Sequence, residues 1–154
     1  MKLLYGLCLL FIFGACSSSR VTDNTAVTQL LESGNYAFIA QTMSPSRATP
    51  TTIAGSGYGL RLTNDSLSVL LPFFGRAFDA SVNRTGGPIE VNTRAFESNK
   101  TRKNKRWEIS FSPAASTQVR QLFLSVSDNG YASLQVISTN RETVSFNGTV
   151  EALK

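Results

Sequence analysis

Apolar residues recur at every second position in the second half of the chain, and this period constrains the fold most. The pattern is clearest over residues 107–112 and 122–127, where apolar side chains alternate mostly with polar ones. Such alternation places one face of a strand in the core and the other in solvent. An Asp-Asn-Gly turn at residues 128–130 follows, and Asn and Gly favour the left-handed positions of a hairpin. This half of the chain therefore predicts successive antiparallel strands.

The remaining strand signals are equally short. They cover residues 36–41, 60–63, 67–71, 89–95, 132–136 and 144–152. Together the runs predict a mainly β fold, an antiparallel up-and-down meander of eight or nine strands that closes into a barrel to cover its edges. A β-sandwich is the alternative, and alternation alone does not separate the two. A barrel of this size has an interior that fits side chains or one small ligand. Asn147-Gly148 in the last run indicates a bulge.

One short helix is predicted ahead of the strands. Asp23 or Asn24 can cap its first turn, and positions 26, 27, 30 and 31 form an apolar stripe. Gly34 offers the left-handed conformation that ends a helix. This helix could cover one end of a barrel.

The first fifteen residues have the composition of a bacterial export signal. Lys2 supplies a positive start, and residues 3–13 form an apolar run of eleven residues, too short for a spanning helix of about 20 residues. Small residues then precede Cys16, as in a lipoprotein cleavage site. We predict a signal peptide over 1–15, a tether over 16–22 with lipid on Cys16, and one β-rich domain over 23–154. The alternative is an ordinary secretory signal with a free thiol.

Lipidation predicts where the protein resides and what holds it there. Acyl chains on Cys16 would make the membrane its partner. The run Ser17 to Ser19 after the cysteine carries no acidic residue. We therefore predict an outer-membrane lipoprotein that faces the periplasm.

The sequence contains no histidine, which excludes catalytic systems that use an imidazole base. Of its two cysteines, Cys8 lies in the signal and Cys16 carries lipid, so we predict no disulfide and no cysteine nucleophile. We also predict no catalytic residue, no metal and no cofactor. The enzymatic alternative is a carboxylate pair of the kind that glycosidases use. Its candidates are Asp79, Glu90, Glu97 and Glu108.

Five of the seven residues from 100 to 106 are basic. They are Lys100, Arg102, Lys103, Lys105 and Arg106. One interpretation is a patch that attracts anionic headgroups, at about 1 kcal/mol per basic residue. The other is a solvated hairpin tip whose charges prevent edge-to-edge aggregation. Nucleic acid is not a predicted partner, because the formal net charge of +5 is modest and no stacking platform is evident.

The densest aromatic cluster lies near the middle of the chain. It consists of Phe73, Phe74 and Phe78, with Arg76 among them. A ligand pocket or contact surface could use these rings, with Arg76 facing a carboxylate or phosphate. More often, such a run is part of the core. Adjacent side chains face opposite sides of a regular strand, so either Phe73 or Phe74 is expected at the surface or at a bulge.

Three segments resemble one family. The segment LPFFGRAF at residues 71–78, the hairpin at 128–130 and the stretch STNRETVSFNG at 138–148 resemble the uncharacterised Bacteroidetes lipoproteins called domain of unknown function 4251. The resemblance covers most of the mature chain. It implies a lipocalin-like barrel in the envelope of such a bacterium, and it implies no activity. Ser66, between Asp65 and Leu67, also matches the loose O-glycosylation pattern of Bacteroidetes, with a plain turn as the alternative.

These observations lead to one leading functional hypothesis. We predict a non-enzymatic envelope lipoprotein that binds a small apolar or amphipathic ligand. A protein-interaction or structural accessory lipoprotein is the second hypothesis. A carbohydrate-active enzyme is the third.

Overall fold

The predicted helix forms in the computed structural model of the protein, which describes residues 24–47, 49–73, 87–114 and 118–153. Helix α1 spans Asn24–Glu32. Val27 and Leu31, one turn apart, are buried, and Gly34 follows with a positive φ of 69°, so the predicted glycine stop is confirmed. No helix within the described ranges is long and apolar enough to cross a membrane.

Ten strands follow α1 in the described residues. Their bounds are β1 (Tyr36–Pro45), β2 (Thr51–Thr52), β3 (Gly59–Thr63), β4 (Ser66–Leu71), β5 (Ile89–Thr93), β6 (Phe96–Lys103), β7 (Arg106–Pro113), β8 (Val119–Ser127), β9 (Tyr131–Ser138) and β10 (Val144–Ala152). The two-residue strand β2 pairs with β1 beside the main sheet.

The nine longer strands form one sheet in the order β5-β4-β3-β1-β10-β9-β8-β7-β6. Every neighbouring pair in this order is antiparallel. β1 and β10 come from opposite ends of the domain, yet they pair along their length, from Tyr36 opposite Ala152 to Pro45 opposite Val144. The result is a nearly closed up-and-down barrel. The predicted barrel is confirmed over the sandwich.

The two ends of the sheet order, β5 and β6, are separated in the chain by Arg94 and Ala95 alone. Eight antiparallel steps lie between them around the sheet, so the two strands run in the same direction. They are two parts of one bent run, the first paired with β4 and the second with β7. This bend brings the two sheet edges close to closure.

Packed side chains fill the barrel interior. Phe38, Phe111 and Phe146 are fully buried. Burial also raises the pKa of the Tyr36 hydroxyl well above its usual range, so this side chain stays neutral in the core. A barrel of this size can be filled by its own side chains or can hold one small ligand. In the described residues, side chains fill the interior. A chain starting at Arg20 carries every strand of this core, so it contains a complete folding unit.

The seam between β1 and β10 depends on Gly148. A side chain there would overlap the backbone carbonyl oxygen of Ile39 on β1. The register shifts directly beside this point, between Ala40 and Thr42, which leaves Gln41 as an extra residue on β1. The bulge was predicted at the right seam but on the wrong strand, because Gly148 is required for close approach and not for the extra residue.

Replacing Gly148 with alanine tests this seam. We expect G148A to lower the free energy of unfolding by about 1–3 kcal/mol, the range for overpacking, because the new methyl group meets backbone. G87A is the matched control, since a methyl group at Gly87 has no neighbour within 4 Å and should change stability by less than about 0.5 kcal/mol. Urea unfolding measures both variants. Equal stabilities would show that the seam relaxes without cost.

Two basic side chains of β6 hold α1 at the barrel end formed by the β6–β7 and β8–β9 turns. The Lys100 ammonium donates to the backbone oxygen of Leu31 over 3.0 Å, at the negative end of the helix dipole. The Arg102 guanidinium donates to the Thr28 hydroxyl over 3.2 Å and pairs with Asp128 over 3.3 Å. Side chains of the basic run, Lys100 and Arg102, thus hold α1 in its position against the barrel.

Trp107 reports on this contact, because Lys100 and Arg102 lie 5.7 and 5.5 Å from the centroid of its ring, within cation–π range. We expect R102Q to lower the free energy of unfolding by about 1 kcal/mol and to shift the emission of Trp107. K105Q is the control, since Lys105 has no ion pair or hydrogen bond within the described ranges. Urea unfolding followed by fluorescence gives both readouts. An unchanged R102Q protein would contradict this role of Arg102.

Candidate functional site

A shallow groove of about 350 Å³ crosses the outer face of the barrel. Small polar side chains from β1, β8, β9 and β10 line most of it. They are Gln41, Thr42, Ser125, Ser127, Ser133 and Asn147, and Tyr131 and Arg106 stand beside them. The groove is therefore a shallow concavity that small polar residues line together with one aromatic ring and one cation.

Strand pairing brings the small polar residues side by side. Ser125 lies opposite Ser133, Ser133 lies opposite Asn147, and Asn147 lies opposite Thr42. The neighbours of these residues along β8, β9 and β10 are buried, so the polar side chains face outward. Residues far apart in sequence thereby form one continuous floor.

The β1 bulge supplies one end of the groove. Successive side chains of a regular strand face opposite sides of the sheet. At the bulge, however, the consecutive residues Gln41 and Thr42 both line the groove. The bulge therefore adds an amide side chain that a regular β1 would have turned away from this surface.

Tyr131 supplies the aromatic part of the groove. It lies opposite Thr149 on β10 and is 53% exposed. Its backbone N–H donates to the side-chain oxygen of Asn129 over 3.2 Å, which fixes the start of β9. A half-exposed ring beside a polar floor can contact the apolar part of an amphipathic molecule.

The polar side chains of the groove form no hydrogen bonds with other residues in the part of the chain that the structure describes. Elsewhere on the outer face, polar side chains bond to each other. Ser68 donates to Asn92 over 2.6 Å, and Asn92 donates to Glu90 over 3.3 Å. The Ser66 hydroxyl, which matches the loose glycosylation pattern, bonds to Thr63. The donors and acceptors of the groove are thus open to solvent or to a ligand.

Arg106 is the charged side chain among the described residues that line the groove. It forms no ion pair with any described residue. The neighbouring cations differ, because Lys103 pairs with Glu108 over 2.8 Å and Arg102 pairs with Asp128. The groove therefore presents one uncompensated positive charge, which suits an anionic group on a ligand.

The five basic residues predicted as one patch have separate environments. Lys100 and Arg102 contact α1. Lys103 is tied to a carboxylate, Lys105 lies in the β6–β7 turn, and Arg106 lines the groove. Attraction to anionic headgroups stays a prediction, and Lys103 and Lys105 are the residues left to support it.

Phe73 is the member of the predicted aromatic cluster that the structure describes. It is 5% exposed, and the guanidinium of Arg141 lies 5.0 Å from its ring centroid. The same guanidinium donates to the backbone oxygen of Gly87 over 2.6 Å. Phe73 therefore belongs to the core, the more common role of such an aromatic run. Several predictions fall outside the described residues: the signal over 1–15, the tether over 16–22 with Cys16, the cap candidate Asp23, and the site candidates Phe74, Arg76, Phe78 and Asp79.

The candidate carboxylates within the described ranges do not gather at one point. Glu108 pairs with Lys103 on β6, while Glu90 contacts Asn92 on β5. Among the described residues, no three His, Cys, Asp or Glu side chains come together as metal ligands do.

Sequence reasoning did not single out the groove. Its floor consists of Ser, Thr and Asn, which are ordinary residues for the wet face of a strand. Tyr131 was the available signal, because Ala132 and Leu134 face the core and so place the ring of Tyr131 in solvent. Arg106 was predicted as a site residue, but for a lipid surface.

Comparison with known proteins agrees with this barrel. The model of the family described as Domain of unknown function (DUF4251) matches residues 20–150. A crystal structure of a DUF4251 family protein from Bacteroides eggerthii DSM 20697 has a TM-score of 0.63 to this chain at 13% sequence identity, over 86% of this chain and 89% of that chain. A likeness at this identity shows the fold. No curated protein matches the chain. The chain belongs to the DUF4251 family.

Proposed function

We propose that this protein is a lipid-anchored, non-enzymatic binding module of the cell envelope, and that its ligand is a small amphipathic molecule held in the outer groove. The observation that carries the proposal is the set of polar side chains without partners among the described residues, gathered in a concavity beside the ring of Tyr131. A concave surface with convergent polar groups beside an aromatic ring is compatible with recognition of a small molecule.

The lining favours an amphipathic ligand over a purely apolar one. A hydrocarbon over Ser125 and Ser133 would displace water from their hydroxyls without replacing the hydrogen bonds, at a cost of about 1–3 kcal/mol per group. An amphipathic molecule can replace those bonds while it covers the ring of Tyr131. The interior offers less, because its described part is occupied by packed side chains.

The groove is built on a rigid part of the barrel. β8, β9 and β10 each pair with a strand on both sides, so the backbone under the floor is fixed. Ser125, Ser133 and Asn147 are short side chains that lose little conformational entropy when a ligand orders them. A preorganised surface of this kind favours affinity.

The chemistry of the groove supports binding over catalysis. Its described lining holds hydroxyls, amides and the Arg106 guanidinium. No carboxylate is among the described residues that line it, and Glu108, which lies opposite Ser125, is paired to Lys103; carboxylates most often act as general acid or base when histidine is absent. This arrangement can hold and orient a molecule.

Lipid on Cys16 would keep the barrel near a membrane. Cys16 and Asn24, the first residue of α1, are eight positions apart, and a chain of that length spans at most about 26–29 Å. Two or three acyl chains hold a protein firmly, whereas one gives reversible binding. The binding module would therefore work within one tether length of the bilayer surface.

The anchor is tested by metabolic labelling of the full chain with a palmitate analogue in a bacterial host. We expect wild type and C8S to carry the label and to sediment with membranes. C16S should lose the label, because it lacks the thiol that accepts the lipid. Label retained on C16S would contradict anchoring through this residue, while the binding test below would still stand.

The groove is tested by native mass spectrometry of the chain from Arg20 after incubation with an envelope extract. We expect a discrete small-molecule adduct on wild type. S133W should reduce it at least about tenfold, since an indole side chain would fill the centre of the floor. N92W is the control, because it makes a similar change on the outer face of β5, away from the groove.

Two results would overturn the groove as the binding site. An adduct equally abundant on S133W would place the ligand elsewhere on the barrel. A stoichiometric protein partner in place of a small molecule would favour the protein-interaction alternative.

A further inference from the structure

We infer that the ligand of the outer groove is an anionic saccharide, bound with its ring against Tyr131 and its acidic group at Arg106. The inference rests on the proposed function and names the chemical class of its ligand. Three properties of the groove lead to it: the aromatic ring, the mixed hydrogen-bonding floor and the charge.

The exposed ring of Tyr131 favours a ligand that has an apolar surface. It is 53% exposed at a position where the strand is fixed by pairing with Thr149 and by the hydrogen bond to Asn129. A sugar ring carries hydroxyl groups around its edge and C–H groups on its faces. It can cover an aromatic ring with a face while its edge reaches polar neighbours.

The floor requires a ligand that both donates and accepts hydrogen bonds. Hydroxyl side chains such as those of Ser125, Ser133 and Thr42 do both, and the amides of Gln41 and Asn147 carry donors and acceptors side by side. Sugar hydroxyls have the same dual character. A ligand with acceptors alone, such as inorganic phosphate, would use only the donors of this floor.

The positive charge of Arg106 favours an anionic or neutral ligand over a cationic one. Arg106 has no ion-pair partner within the described ranges, and no carboxylate is among the described residues that line the groove. A guanidinium binds a carboxylate with two parallel hydrogen bonds. A cationic sugar would meet repulsion at Arg106, and the described lining holds no acid that would compensate for it.

The size of the groove limits the length of the saccharide. A volume of about 350 Å³ is at the lower end of the range for small-molecule sites, roughly 300–1,000 Å³. The groove is also shallow and open along the sheet. It therefore suits a sugar unit or a short oligosaccharide end better than a long buried chain.

The methyl glycosides of glucuronic acid (methyl glucuronide) and of glucose (methyl glucoside) test the inference. The two sugars differ only at carbon 6, which is a carboxylate in the glucuronide and a hydroxymethyl group in the glucoside. Each is titrated into the ¹⁵N-labelled chain from Arg20, and amide shifts give the site and the Kd. We expect both sugars to shift the amides of Ser125, Ser133 and Tyr131. The glucuronide should bind about tenfold more tightly, as expected for hydrogen bonds to a charged group.

Three variants separate the contributions. R106Q should remove the preference for the glucuronide, so that the two sugars bind with similar affinity. Y131A should weaken both sugars by a similar factor of about ten, because it removes the stacking surface. K105Q is the control for net charge, since Lys105 is one residue from Arg106 and does not line the groove; it should keep the wild-type preference.

The outcomes distinguish this inference from the proposed function. Equal affinity for the two sugars in the wild type would overturn the role of Arg106, and shifts confined to other surfaces would overturn the site. No shift with either sugar, combined with an envelope adduct that S133W removes, would overturn the saccharide class and leave the binding module standing. Groove shifts with the glucuronide, combined with an adduct that S133W leaves intact, would support the saccharide site and refute the groove as the site of that adduct.

Discussion

The pairing of β1 with β10 is the constraint on which the rest of this structure depends. It joins the two ends of the domain, turns an open meander into a nearly closed barrel, and requires the close approach that Gly148 permits. The same seam carries the bulge that turns Gln41 and Thr42 together into the outer groove. Closure of the fold and the shape of the candidate site thus follow from one strand pairing, so a change that loosens the seam should affect both.

Local sequence patterns predict the barrel well. Strand β6 and the bulge of β1 are exceptions, because both depend on the strand that pairs with them. β6 has hardly any buried side chain, so no apolar period marks it in the sequence. It forms because β7 offers a backbone edge, with Phe96 opposite Pro113 and Lys103 opposite Arg106. The bulge behaved similarly, since Gly148 marks the seam in the sequence while the extra residue belongs to its partner β1. Period-2 patterns report burial, and backbone pairing without burial leaves no such pattern.

The candidate site was less predictable than the fold for a related reason. Ser125, Ser133 and Asn147 are unremarkable positions within three separate strands, and only the register of β8, β9 and β10 makes them adjacent. The residues that drew attention in the sequence were aromatic or charged. Of these, Phe73 proved to be core, because an exposed position cannot be inferred from an aromatic run. These small polar residues form a candidate site only because the tertiary structure places them next to one another.

The basic run shows how strand geometry divides a charge cluster into different functions. Arg102 and Lys103 are adjacent in sequence, but one contacts α1 and Asp128 while the other pairs with Glu108, since successive side chains of β6 face opposite ways. Arg106 begins the next strand and faces the groove without a carboxylate partner among the described residues. Among the described residues that line the groove, Arg106 is therefore the one cation, while Arg102 and Lys103 nearby pair with carboxylates. A single charge placed beside hydroxyls and one aromatic ring distinguishes ligands by their own charge, which is why Arg106 and not the run as a whole governs the selectivity that we infer.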